Sequence, residues 1–181
     1  MKPFIERTED HLSTTWADIN WHAVEENVRR LQERIYRATT HHAWRTVKNL
    51  QKLLVRATSN QLLAIRRTMQ ENQGKHTAGV DGMVYDTPEA RWKLFQEGRS
   101  RKGDKPKPVR RVDIPQDQGK PRPRGIPPGR DRVRPALVQA ALEPEWEARF
   151  EANSYGFRPG RCTMDAIAAI HTTMSRKDSS P

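Results

Sequence analysis

Lysine and arginine crowd one stretch of this 181-residue chain. Between positions 101 and 134 stand twelve of them against four aspartates, a local charge of +8 within a total of +11. Eight of the thirteen prolines lie between Pro106 and Pro135, so the basic stretch is also extended and stiff. Its arginines alternate with Val112, Ile114 and Ile126, the pattern of an ordered surface rather than a solvated tail. Guanidinium groups make forked, charge-assisted hydrogen bonds to phosphate oxygens. The chemistry on offer is therefore the holding of phosphates, and the indicated partner is nucleic acid.

Residues 106–127 have the pattern of a β-hairpin: an extended segment over 108–115, a turn over 116–120 and a return strand over 121–127. Under period two, Val112 and Ile114 share one face, Arg111 and Asp113 the other. The prolines make both strands edge strands, because proline has no N–H for a central ladder.

Basic helices precede the hairpin. Trp21, Val24, Val28, Leu31 and Ile35 recur at steps of three and four, which predicts a helix over about 21–38 capped by Asn20. A second fits about 43–57 and a third about 60–71, which can continue the second because no strong breaker separates them. Their cations include Lys48, Lys52, Arg56, Arg66 and Arg67. Gripping RNA and simple solvation explain that charged face equally well. The run from Asn72 to Gly82 has three glycines and an Asp-Gly turn signal. It allows close approach to a phosphate, or is a plain loop, and it lacks nucleotide P-loop spacing.

Thr87 caps a short helix that Gly98 is expected to end. After the hairpin, Asp131 is expected to cap a helix over about 131–142. Pro144 restarts another to about 150, and a last helix carries Ala166, Ile167, Ile170 and Met174. The fold class expected is α+β. The expected organisation is a polar lead-in over 1–18, a helical region over 19–72 and a third region over 73–181.

Other chemistries find little support. No apolar run approaches the roughly 18 residues a membrane helix needs, and the charged N-terminus shows no secretory signal, so a cytoplasmic setting is expected. The single cysteine, Cys162, gives neither a disulfide framework nor a zinc knuckle. His41 and His42 lack partners at metal spacing, and His171 is a packing or surface residue. No catalytic or metal-binding residue can be named.

Five blocks in order carry a resemblance. They are Gln73-Gly74-Lys75 with Thr77-Ala78-Gly79-Val80-Asp81-Gly82; Pro106-Lys107-Pro108-Val109-Arg110-Arg111-Val112; Gly125-Ile126-Pro127 with Asp131-Arg132-Val133; Ala140-Ala141-Leu142-Glu143-Pro144; and Asn153-Ser154-Tyr155-Gly156-Phe157-Arg158-Pro159-Gly160 with Asp165-Ala166-Ile167. Together they resemble the N-terminal part of bacterial-type group II intron-encoded reverse transcriptase/maturases, over about residues 14–174. The resemblance implies the fingers and the start of the palm of a right-hand polymerase, with the palm sheet absent.

By that resemblance Arg110 and Arg122 touch the nucleoside triphosphate. Lys75, Arg111, Lys120 and Arg158 are the nucleic-acid contacts expected beside them, and the loop over 153–159 supports the template strand. The chain departs from the family at Gln116 (usually lysine), Arg124 (leucine), Pro128 (threonine) and Pro135 (glutamine), which points to relaxed constraint or local misfolding. The family's catalytic aspartates, which hold Mg²⁺ for two-metal phosphoryl transfer, lie beyond the matching blocks. Hence no cofactor is expected in this chain and Mg²⁺ only in a complete polymerase. The expected function is a reverse transcriptase fragment that binds intron or template RNA and does not polymerise alone, with a downstream palm and thumb chain as a possible partner. The alternative is a standalone RNA-binding, maturase-like helper.

Overall fold

The computed structural model describes residues 15–99, 107–115 and 119–177. Residues 1–14 of the expected lead-in over 1–18, Pro106 and the turn residues 116–118 lie outside the described residues. In chain order the elements are α1 (Trp21–Thr40), α2 (Trp44–Arg56), α3 (Thr58–Arg66), α4 (Pro88–Arg99), β1 (Arg110–Ile114), β2 (Arg122–Ile126), α5 (Gly129–Arg149) and α6 (Thr163–Lys177). Helices with one small antiparallel sheet place the chain in the α+β class. Among the described residues, no helix is long and apolar enough to cross a membrane.

The predicted stripe of α1 is its buried side: Val24, Val28 and Ile35 are in the core, with Trp21 and Leu31 packed at its edge. Asn20 caps the helix, its Oδ1 accepting the Ala23 N–H at 3.1 Å. Val47, Leu50 and Leu54 bury the matching side of α2. One continuous apolar cluster runs from Trp16 through these helices to Tyr85, Phe95, Val133 and Ala141.

α3 does not continue α2. Ala57 between them is extended, with ψ 133°. The break is held by the buried Asn60, whose Nδ2 donates at 3.1 Å to the Leu54 carbonyl, which also accepts the Ala57 N–H, and to Leu137 O on α5 at 3.3 Å. After Arg66 the chain widens into a π turn over Arg67–Glu71, then a 3₁₀ turn over Gln73–His76.

Several expected boundaries move. Thr87 does cap α4, accepting the Ala90 N–H at 3.2 Å, but the helix runs past Gly98 to Arg99. Asp131 is not a cap. Pro128 O accepts the N–H groups of Asp131 and Arg132, so α5 winds from Gly129 and Asp131 falls in its first turn. The expected pair of helices over 131–150 is one helix of 21 residues with Pro135 and Pro144 inside it. Proline at 144 leaves the Ala140 carbonyl without its helical donor, and Gln32 of α1 supplies one, Nε2 to Ala140 O at 2.9 Å. The departures at Pro128 and Pro135 are accommodated rather than disruptive. Pro128 is fully buried at the start of α5, and Pro135 is exposed.

The start of α6 is tied by Asp165, whose carboxylate accepts the Cys162 N–H at 2.8 Å, a bond that lowers its pKa. Met164, Ile167, Ile170 and Met174 on α6 are each more than half exposed. The apolar side of the last helix is therefore open.

Candidate nucleic-acid interface

β1 and β2 pair with Arg110 opposite Ile126, Val112 opposite Arg124 and Ile114 opposite Arg122. Directly opposed residues point to the same side of a sheet. One face of the ribbon thus carries Arg110, Arg122 and Arg124 interleaved with Val112, Ile114 and Ile126. The other face carries Arg111, Asp113, Pro123 and Gly125.

Arg110 lies at the base of the ribbon and Arg122 near its tip. Four residues of strand separate them, about 13 Å, with Arg124 at the level between. All three are exposed, and none has a carboxylate partner among the described residues. Each stands opposite an aliphatic side chain that can support its methylene stem while the guanidinium stays in water. A row of three uncompensated, forked donors on one surface can take phosphate oxygens at successive points along a strand or a polyphosphate.

Among the described residues, the ribbon is anchored at its base. The Lys107 N–H donates to Asp131 Oδ2 at 3.1 Å. Arg132, in the first turn of α5, reaches three carbonyls: Nε to Pro127 O at 2.9 Å, Nη1 to Gly74 O at 3.1 Å, and Nη2 to Thr77 O. It clasps the end of β2 to the glycine-rich loop. Gly79 completes the joint, because a Cβ there would lie 2.6 Å from Pro128 Cα. Gly129 does the same on the other side, where a Cβ would sit 2.3 Å from Tyr85 Cε2. Tyr85 is buried there, and that burial raises its pKa.

The structure distributes the remaining expected contacts unevenly. Lys120 is exposed beside the start of β2. Arg111 lies on the opposite face from Arg110 and is paired to Asp113 at 3.2 Å. Lys75 turns back on its own segment, Nζ to Gln70 O at 3.0 Å. Arg158 points inward: it is buried, holds both oxygens of Glu147 at 3.0 and 2.5 Å, and donates from Nη1 to Glu151 O and Ser154 O, each at 2.8 Å. That bidentate pair lowers the pKa of Glu147 and raises that of Arg158. Four of its five donors are thus used internally, and Arg158 braces the 153–160 loop.

Two features were not singled out from sequence. Arg132 is one arginine among many in its stretch, and no local signal marks it as the clasp. Phe157 has a left-handed backbone, φ +57°, and is fully exposed, so Gly156 and the internal Arg158 flank an open aromatic face. No group of three His, Cys, Asp or Glu able to hold a metal occurs among the described residues. These side chains do not fit a Mg²⁺ site.

A family model described as the N-terminal domain of reverse transcriptase matches residues 16–97, the segment from Trp16 through most of α4. Protein YkfC of Escherichia coli (strain K12) is 38% identical over 126 residues, covering 67% of this chain and 33% of that protein. An uncharacterized 91 kDa protein in cob intron of Schizosaccharomyces pombe is 32% identical over 109 residues, covering 58% of this chain and 13% of its own length. The chain therefore matches a third or less of these relatives. Residues 16–97 are thus similar to the N-terminal domain of reverse transcriptase.

Proposed function

We propose that the chain serves as the RNA- and nucleotide-holding fingers of a group II intron reverse transcriptase/maturase. Template or intron RNA lies along the arginine face of the ribbon. In the complete enzyme Arg110 and Arg122 meet the triphosphate of the incoming nucleotide. The observation that supports this most directly is the register that gathers Arg110, Arg122 and Arg124 on one exposed face, with no carboxylate partner among the described residues. The reverse-transcriptase N-terminal domain ahead of the ribbon agrees with that assignment. The function of this chain is binding. The chemical step needs a carboxylate-bearing palm, which would hold Mg²⁺ in a complete polymerase.

The two faces of the ribbon give an internal control. Arg110→Gln, Arg122→Gln and Arg124→Gln combined are expected to weaken binding of a single-stranded RNA at least tenfold at 100 mM salt, measured by fluorescence anisotropy. Arg111→Gln on the opposite face is expected to change it less than twofold. Equal losses from both faces, or no loss from the triple variant, would contradict the assignment.

A further inference from the structure

Away from the ribbon, α2 and α5 enclose a groove. Two adjoining hollows of about 310 and 320 Å³ share Val55 and Arg56 as a common wall. One wall is a ridge of cations on α2: Lys48, Lys52 and Arg56, at i, i+4 and i+8, all exposed and without a carboxylate partner among the described residues. The facing wall on α5 is aliphatic, with Val138 and Leu142 each 40% or more exposed. At the far end Arg130 donates to Glu97 O and Arg134 pairs with Asp131. Among the described residues, no acidic side chain lines either hollow. Glu145, one turn beyond the lining residue Ala141, is already held by Gln51 and Arg149.

We infer that this groove docks an acidic amphipathic helix of a partner protein. The ridge spans eight residues of helix, about 12 Å, with one positive charge per turn. A partner helix with a carboxylate at every turn repeats at the same pitch, so three ion pairs form in register. Its leucine-type face then covers Val55, Val138 and Leu142, as helices fill apolar grooves. The floor decides against a nucleic-acid strand. Phosphates gain nothing from aliphatic surface, and bases need open aromatic faces to stack on, whereas Phe95, the one aromatic side chain among the described lining residues, is fully buried. The groove is separate from the ribbon, so the two proposals fail independently.

The test uses the full chain and three fluorescein-labelled probes. These are a 15-residue helical peptide with a leucine stripe flanked by a glutamate at every turn, the same peptide with lysine for glutamate, and a 15-nucleotide single-stranded RNA. The glutamate peptide is expected to bind saturably, at least tenfold tighter than the lysine peptide. Lys48→Glu with Lys52→Glu, and separately Leu142→Ser, are each expected to weaken it at least tenfold. These positions are exposed, and unchanged circular dichroism checks the fold. The triple arginine variant of the ribbon is expected to bind the glutamate peptide unchanged. Equal binding of the two peptides, or of wild type and the Lys48/Lys52 variant, overturns the inference. Loss of RNA binding alone in that variant would make the groove an RNA surface and overturns it as well.

Discussion

Arg132→Ala removes the clasp between the glycine-rich loop and the ribbon, and its cost follows from the geometry. Two of its three hydrogen bonds, to Pro127 O at 2.9 Å and Gly74 O at 3.1 Å, are half-buried, and the third, to Thr77 O, is exposed. Charge-assisted bonds of the first kind contribute about 1.5 kcal/mol each, so the loss is about 3 kcal/mol with little from the third. In a domain of this size each kcal/mol moves Tm by about 2–4 °C, giving a fall of about 6–12 °C. Thermal circular dichroism reads that directly. Hydrogen exchange is expected to rise in 72–82 and around β2 before it rises in α1. Arg132→Lys keeps the charge but cannot span three carbonyls, and is expected to recover less than half of the loss. A Tm within 2 °C of wild type, or exchange that rises uniformly, would refute the clasp.

Gln32→Ala is expected to cost about 1 kcal/mol, measured by urea unfolding, and clearly less in a Pro144→Ala background. There the residue-144 N–H can serve Ala140 O itself, so additive losses would contradict the account of the proline in α5. Gly79→Ala places a methyl against the Pro128 backbone, and overpacking of this kind destabilises by about 1–3 kcal/mol; Gly98→Ala, which meets open space, is expected not to destabilise. Glu147 has a carboxyl pKa lower in the fold than in the unfolded chain, first because Arg158 hydrogen-bonds its charged form. As pH falls, the unfolded state takes up the proton first. The pair's stabilisation is therefore complete above the ordinary carboxylate range and is lost as pH drops through the folded value. Glu147→Gln is expected to flatten that acid limb in a Tm-against-pH series, and an unchanged limb would contradict the pairing.

The helices with unbroken local patterns were legible in the sequence. Val24, Val28 and Ile35 announce the buried side of α1, and Asn20 its start, because both signals lie within a few residues of the element they define. The hairpin was legible for the same reason: alternation and turn residues are local. The continuous α5 was not, because the donor that makes Pro144 tolerable comes from Gln32, more than a hundred residues away in sequence. Nor was the break before α3, since Asn60 closes it by reaching both α2 and α5. For the site, composition located the basic stretch but could not sort its arginines. Arg124 joins the candidate surface, Arg132 becomes a clasp and Arg158 an internal brace. That division depends on register and burial, which only the folded chain supplies.

The central claim is that the Arg110, Arg122 and Arg124 face of the ribbon neutralises phosphates. The most direct measurement is the salt dependence of single-stranded RNA binding in the intact chain and in the triple glutamine variant. Three phosphate contacts on a single strand contribute about −2 to the slope of log K against log salt, roughly a twentyfold change between 50 and 200 mM. The wild-type line is predicted to be steeper than the variant's by that amount, with the two converging at high salt. Parallel lines would show that these arginines release no counterions and would contradict the claim.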